Sequence, residues 1–194
     1  MKQHKETKLI LPGERINLRV VRKSDAKDLY RGARNHAISR YTFIPRPYRM
    51  DDAVSFIRRT HAIRRQKKGY AFGIEHKESG RIIGMCSVFS ILEKHRHAEV
   101  GYWVNKNYWG QGYATEALEL MLKFCFNELK FHRVVAGAFT ANRVSQHMLK
   151  KAGFKREGYL RQHAKVRRRW MDLIFYGMLA TEYRAGRKKK GRRR

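Results

Sequence analysis

Two hydrophobic periodicities alternate along the chain and predict an α/β fold. Apolar residues that alternate or run continuously predict seven strands, at Arg15–Val21, Tyr70–Glu75, Ile82–Leu92, Ala98–Val104, His132–Phe139, Phe154–Leu160 and Trp170–Leu179. A spacing of three to four residues predicts four helices, at Ser24–Arg34, Asp51–Lys68, Ala114–Leu129 and Asn142–Gly153. This order, β-α-α-β-β-β-α-β-α-β-β, indicates one α/β domain with a mixed central β-sheet flanked by about four helices.

The composition supports a single soluble domain. The chain has 194 residues, of which 42% are hydrophobic, enough to bury one core. We expect residues 1–183 to form the domain and the basic tail 184–194 to be disordered. Since the longest uncharged stretch is Ile82–Leu92 and no apolar segment follows the first residues, we expect neither a membrane span nor a signal peptide.

The two cysteines, Cys86 and Cys125, lie in apolar runs without the spacing of a metal site. This placement is typical of buried thiols in a reducing compartment, and it leaves zinc without a ligand set. The sequence therefore predicts a cytoplasmic protein that uses no metal.

The net positive charge of the chain is unusually high. Lys and Arg number 45 against 16 acidic residues, which gives a formal net charge of +29. Eight of the last eleven residues are basic, but the rest of the chain is strongly basic as well. Such a field attracts polyanions and therefore favours RNA, DNA or an anionic surface as a partner.

A glycine-rich turn between a predicted strand and a long predicted helix is a candidate anion site. Gly110 and Gly112 flank Gln111 directly before the helix. Free backbone N–H groups and the positive end of the helix dipole would face one point there, and glycine lets a phosphate approach the backbone. The turn matches neither the P-loop nor the dinucleotide fingerprint, and an ordinary tight turn is the alternative interpretation.

A second candidate follows the next predicted strand. Asn142 stands in the N-cap position of a helix, and Ser145 stands one turn further on. Taken alone, Asn142 is interpreted most simply as a helix cap.

Together, the two stretches resemble the GNAT family of N-acetyltransferases, most closely its branch of RimJ/RimL-like ribosomal-protein N-terminal acetyltransferases. The resemblance extends from Leu18 to Tyr176. The residues that carry it are Gly101-Tyr102-Trp103, Tyr108 to Ala117, Asn142 with Ser145, Gly153-Phe154, Glu157-Gly158 and Asp172.

The resemblance implies acetyl-CoA as cosubstrate. The family's pyrophosphate loop, Gln/Arg-x-x-Gly-x-Gly/Ala, falls on residues 109–114, where the first position is tryptophan. The strand at 101–104 would pair with the pantetheine arm and polarise the thioester carbonyl through the N–H near Val104. The implied acetyl-CoA-binding residues are Tyr102, Trp103, Val104, Trp109, Gly110, Gln111, Gly112, Tyr113, Ala114, Thr115, Asn142 and Ser145.

Two side chains are candidates for proton transfer. Many family members have a tyrosine seven residues after the asparagine, but here that position is Leu149, and Ser145 is the candidate acid. Glu99, two residues before Gly101, is the candidate base, with a strand-edge salt bridge as the alternative. Glu116 is explained by compensation of the helix dipole.

The resemblance implies direct transfer of the acetyl group to a primary amine within a ternary complex, with the N-terminal α-amine of a ribosomal or other protein as the expected acceptor. A small-molecule amine, or a non-catalytic protein that binds RNA or DNA, is the alternative. Contact with ribosomes or nucleic acid is expected at the basic tail and at two clusters, Arg58, Arg59, Arg64 and Arg65 in the second helix and Arg167, Arg168 and Arg169 between the last strands.

Overall fold

The structure is a computed structural model that describes residues 9–191, and within this range it contains eight strands and six α-helices. The strands are β1 (Ile10–Pro12), β2 (Ile16–Val20), β3 (Tyr70–His76), β4 (Ile82–Leu92), β5 (His97–Val104), β6 (Arg133–Phe139), β7 (Lys155–Val166) and β8 (Arg169–Leu179). The helices are α1 (Ala26–Ala33), α2 (His36–Ser39), α3 (Met50–Arg65), α4 (Tyr113–Lys123), α5 (Arg143–Ala152) and α6 (Ala180–Gly191).

The predicted α/β class, all seven predicted strands and the four predicted helices are confirmed. The hydrophobic pattern did not predict β1, α2 or α6. It predicted that α4 continues to Leu129, whereas a π-helical turn occupies Phe124–Glu128. The helix α6 passes through Arg184, where we placed the start of the tail. Residues 192–194 lie outside the described range, and the order of the tail in solution stays a prediction.

The described chain divides into two compact units, and the first comprises residues 9–89 together with Gly101–Met121. In this unit, β1, β2, β3 and β4 pair antiparallel in sequence order. The helices α1 and α3 contribute to an apolar cluster of Val21, Ala26, Leu29, Ala53, Ile57, Ile82 and Met85. The backbones of β4 and β5 approach closely, since a Cβ on Gly84 would lie 2.2 Å from the carbonyl oxygen of Trp103.

A buried ion-pair network also holds the first unit together. The guanidinium of Arg19 donates to both carboxylate oxygens of Asp25, at 2.7 and 2.9 Å, and to Glu75 at 2.5 Å. The Arg19 and Asp25 side chains are less than a tenth exposed. These interactions raise the pKa of Arg19, chiefly through its hydrogen bond to Asp25, although burial opposes the shift.

The second unit comprises Ser90–Val100 and the chain from Leu122 onwards. Here the first half of β5 pairs parallel with β6, and β6, β8 and β7 follow antiparallel, so the sheet is mixed as expected. The predicted burial of both thiols is confirmed, since Cys86 in the first unit and Cys125 in the second are fully buried, and neither forms a disulfide within the described part of the chain. Burial raises the pKa of the Cys86 thiol to about 12.

Candidate active site

The glycine-rich turn connects β5 to α4 in the first unit. A short 3-10 turn at Lys106–Tyr108 follows β5, and Gly110 and Gly112 then adopt φ angles of +75° and +82°. These angles lie in the left-handed region that favours glycine. The first hydrogen bond of α4 runs from the Glu116 N–H to the Gly112 carbonyl oxygen over 3.1 Å. The amides just before Glu116 therefore have no acceptor within the helix, which is the arrangement that can hold an anion.

Trp109, at the first position of this turn, connects the turn to β5 through its side chain. Its indole Nε1 donates to the carbonyl oxygen of Val104 over 2.6 Å, and 48% of the residue is exposed. Tyr113 is buried, and its hydroxyl shares a hydrogen bond of 3.0 Å with Nε2 of His76. Because the hydroxyl of Tyr113 is bound to His76, the group of this residue that remains for an anion is the backbone amide.

Glu116 links the start of α4 to the start of β2. One of its carboxylate oxygens accepts from the N–H groups of Arg15 and Ile16, at 2.9 and 3.3 Å. The other accepts from the Arg15 Nε at 3.3 Å. These contacts were not predicted from the sequence, because the partners are about a hundred positions apart and no local pattern indicates them.

The strand residues before the turn line up on β5. Trp103 packs against the apolar cluster of the first unit together with Tyr30, Tyr48 and Phe56. A Cβ on Gly32 would lie 2.9 Å from the Trp103 ring, so a glycine is needed for this contact. The structure thus brings Tyr102, Trp103 and Val104 together with the turn at 109–115 in one unit.

Glu99 lies in the second unit, at the last of three paired positions between β5 and β6. An added Cβ on Gly137 would lie 3.6 Å from its Oε1, so this glycine leaves room beside the carboxylate. Burial raises the pKa of Glu99 above its ordinary value. Among the described residues Glu99 has no ion pair, so the salt bridge that we weighed as an alternative is not formed.

Asn142 and Ser145 stand at the start of α5, also in the second unit. The Oδ1 of Asn142 accepts from the Ser145 N–H at 3.2 Å, so Asn142 is a helix cap. The buried Gln146 fixes the preceding turn by donating to the carbonyl oxygens of Phe139 and Thr140 at 3.1 and 2.8 Å. Ser145 is half-buried, whereas Leu149 is 1% exposed and belongs to the core.

The two predicted basic clusters are largely on the surface of their own units. On α3, Arg58, Arg59 and Arg65 are exposed and Arg64 is half-buried. At the turn from β7 into β8, Arg167, Arg168 and Arg169 are exposed, next to the exposed Trp170. Arg167 and Arg168 have φ angles of 46° and 65°, which non-glycine residues rarely adopt.

Residues 9–191 contain no group of His, Cys, Asp or Glu side chains that could hold a metal ion. In the same part of the chain, no helix is long and apolar enough to cross a membrane.

Comparison with known proteins identifies the family. A family model described as an acetyltransferase (GNAT) domain matches residues 15–155. The uncharacterised N-acetyltransferase YoaA of Bacillus subtilis is 32% identical over 154 residues, which are 79% of this chain and 87% of YoaA. The [ribosomal protein uS5]-alanine N-acetyltransferase of Escherichia coli is 24% identical over 124 residues, 63% of this chain and 64% of the relative.

A solved structure agrees with these matches. RimJ of Mycobacterium smegmatis, in complex with CoA-disulfide, superposes with a TM-score of 0.78 at 28% identity, covering 86% of this chain and 83% of RimJ. The chain therefore belongs to the GNAT family of acetyltransferases, and its homologues and structural neighbours include ribosomal-protein acetyltransferases of the RimJ/RimL kind.

Proposed function

We propose that the protein is a cytoplasmic enzyme that transfers the acetyl group of acetyl-CoA to the N-terminal α-amine of a ribosomal or other protein. The observation that carries the proposal is the turn at 109–115, where Gly110 and Gly112 have positive φ and the amides from Gln111 to Thr115 have no acceptor within α4, in a chain of the GNAT family. The α-amine as acceptor is supported by the uS5-alanine N-acetyltransferase among the relatives.

The residues of the turn fit a pyrophosphate. The amides from Gln111 to Thr115 would hold it, and the absence of a Cβ at Gly110 and Gly112 keeps the approach open. Acetyl-CoA, when bound, supplies an activated thioester. The N–H near Val104 would orient the thioester carbonyl, and Asn142 would contact the pantetheine arm.

Glu99 would accept the proton of the attacking amine, directly or through water. A terminal ammonium has a pKa of about 8, so it loses its proton more readily than a lysine side chain. A half-buried carboxylate is suited to this role, because no cation among the described residues forms an ion pair with it.

Ser145 would donate a proton to the leaving thiolate. As the nitrogen–carbon bond forms and the carbon–sulfur bond breaks, one proton would pass from the amine to Glu99 and one from Ser145 to the sulfur, and the serine oxygen would then regain a proton from water. Leu149 has no proton to give, and Ser145 lies one helical turn before it on α5.

Two peptides that differ only at the amine test this function. One has a free N-terminus and no lysine, and the other has a blocked N-terminus and one lysine. We expect thiol release with the first peptide and little with the second. The reverse result would assign the lysine ε-amine, and release only with small amines would favour a small-molecule acceptor. If the protein does not bind CoA, the result would favour the alternative of a non-catalytic protein that binds nucleic acid.

Contact with ribosomal RNA is also part of the proposal. The exposed Arg58, Arg59 and Arg65 on α3, and Arg167 to Arg169 with Trp170, offer cations and an aromatic ring to nucleic acid. Affinity for ribosomes should fall steeply with salt, and Arg58→Glu with Arg59→Glu should weaken it. Affinity that is independent of salt would contradict this contact.

A further inference from the structure

Arg15 reaches the glycine-rich turn from the start of β2, within the first unit. Its Nη1 donates to the carbonyl oxygen of Gln111 over 2.8 Å, and its Nε donates to Glu116. The guanidinium carbon lies 4.7 Å from the centre of the Tyr113 ring. The side chain is thus held by three neighbours although it is 47% exposed. A side chain restrained in this way loses little further conformational entropy on binding a ligand.

Part of the guanidinium makes no hydrogen bond to the described residues. Its five N–H groups can each donate one hydrogen bond. Within residues 9–191, Nη2 donates to no protein acceptor. An added Cβ on Gly112 would lie 3.2 Å from this nitrogen, so the unused N–H groups stand beside the second glycine of the turn.

The position of the Arg15 guanidinium is relevant to Trp109, which differs from the glutamine or arginine of the family's loop pattern. The family's pyrophosphate loop begins with glutamine or arginine, a pattern from which the resemblance implies that the RimJ/RimL-like branch departs, and here the first position is an indole that donates to Val104. Arg15 therefore brings a guanidinium to the same turn from a different element. Arginine suits a pyrophosphate because its planar fork matches two phosphate oxygens at once.

We propose that Arg15 is a phosphate-binding residue of the acetyl-CoA site, which it reaches from the residue before β2 and not from the loop itself. The inference rests on the proposed function. Glu116 then has a positioning role, because it holds Arg15 in place and also accepts from the backbone of β2.

The test is calorimetric titration of the purified protein with coenzyme A at low and at high salt. Arg15→Gln should weaken binding roughly ten- to a hundredfold, as expected for the loss of hydrogen bonds to a charged group. The dependence of affinity on salt should become shallower, and binding of pantetheine, which lacks phosphates, should not change. Arg156→Gln, at an exposed position of β7, removes the same charge as a matched control.

Glu116→Gln separates phosphate binding from support of the turn. This variant keeps an oxygen for the backbone N–H groups but removes the negative charge next to Arg15. Because the guanidinium stays but loses part of its support, we expect a loss of CoA affinity that is smaller than the loss in Arg15→Gln. An equal loss in Glu116→Gln and Arg15→Gln, a loss with unchanged salt dependence, or wild-type affinity in Arg15→Gln would overturn the assignment. Failure of the wild-type protein to bind CoA would instead overturn the proposed function.

Discussion

The indole N–H of Trp109 and the carbonyl oxygen of Val104 form a hydrogen bond of 2.6 Å. This bond ties the first residue of the glycine-rich turn to the last residue of β5. The turn and the strand that would hold the two ends of acetyl-CoA are therefore fixed to each other by a side chain, in addition to the chain that connects them.

The first prediction concerns this bond. Trp109→Phe keeps an aromatic ring but removes the donor, so we expect CoA to bind about two- to tenfold more weakly, the range for one neutral hydrogen bond. Titration calorimetry measures the change. Trp170→Phe, at a tryptophan that is 57% exposed, is the control and should leave CoA affinity unchanged. Equal affinities in the two variants would show that the bond does not position the turn.

The second prediction uses two glycines of similar conformation. Gly112 and Gly80 both have positive φ, at +82° and +65°, so a larger residue is strained at either position. Gly112→Glu also places a carboxylate in the proposed phosphate site and should abolish CoA binding. Gly80→Glu, in open space at a hairpin turn, should lower the melting temperature only. Retention of CoA binding by Gly112→Glu would contradict the assigned site.

The third prediction concerns Glu99. Glu99→Gln should lower kcat about a hundredfold or more while leaving CoA affinity unchanged. Since burial raises the pKa of Glu99 and only the carboxylate accepts a proton, the acidic limb of the rate profile should lie above the ordinary range of glutamate. This limb should be absent from Glu99→Gln. An unchanged profile in the variant would assign the base to another group.

The raised pKa of Glu99 also affects the stability of the folded protein. A carboxyl whose pKa is raised on folding stabilises the fold at low pH and loses that contribution as pH rises through the raised pKa. Glu99→Gln should therefore melt no lower than the wild type at neutral pH, and the difference should shrink in acid. A large drop in melting temperature would attribute the loss of activity to misfolding.

The fourth prediction concerns the buried ion pairs. Arg19→Leu leaves Asp25 without its partner, so we expect a loss of about 3 to 5 kcal/mol in the free energy of unfolding. Burial acts to raise the pKa of Glu75, but hydrogen bonds from Asn17 and Arg19 outweigh it and lower that pKa. Stability should therefore fall as pH drops through the lowered pKa of Glu75. Urea titrations over a range of pH check both points. A loss below about 1 kcal/mol in Arg19→Leu would contradict the first.

The sequence was sufficient for the parts of the site that are local. The glycine-rich turn and the Asn142 cap depend on neighbours within a few residues, so their conformations follow from residue type. The contacts of Arg15 with Glu116 and Gln111 depend on tertiary packing and could not be predicted. The choice between a free carboxylate and a salt bridge at Glu99 likewise depended on neighbours that only the fold defines.

The missed elements have similar reasons. The helix α2 is one turn long and lacks a periodic pattern, although Asn35 caps it. The helix α6 lies partly in a basic tail where no apolar period marks a helix. The π-helical turn after Lys123 continues the apolar face of α4, so periodicity alone could not separate the two.

The most direct test of the account is intact-mass spectrometry of stripped ribosomal proteins after incubation with the enzyme and acetyl-CoA. We predict the addition of a single acetyl group at one N-terminus, which Glu99→Gln and Ser145→Ala both slow. Acetylation that is unaffected by either variant would contradict the proposed roles of these side chains. Absence of any acetylated ribosomal protein, with acetyl-CoA bound, would contradict the proposed acceptor.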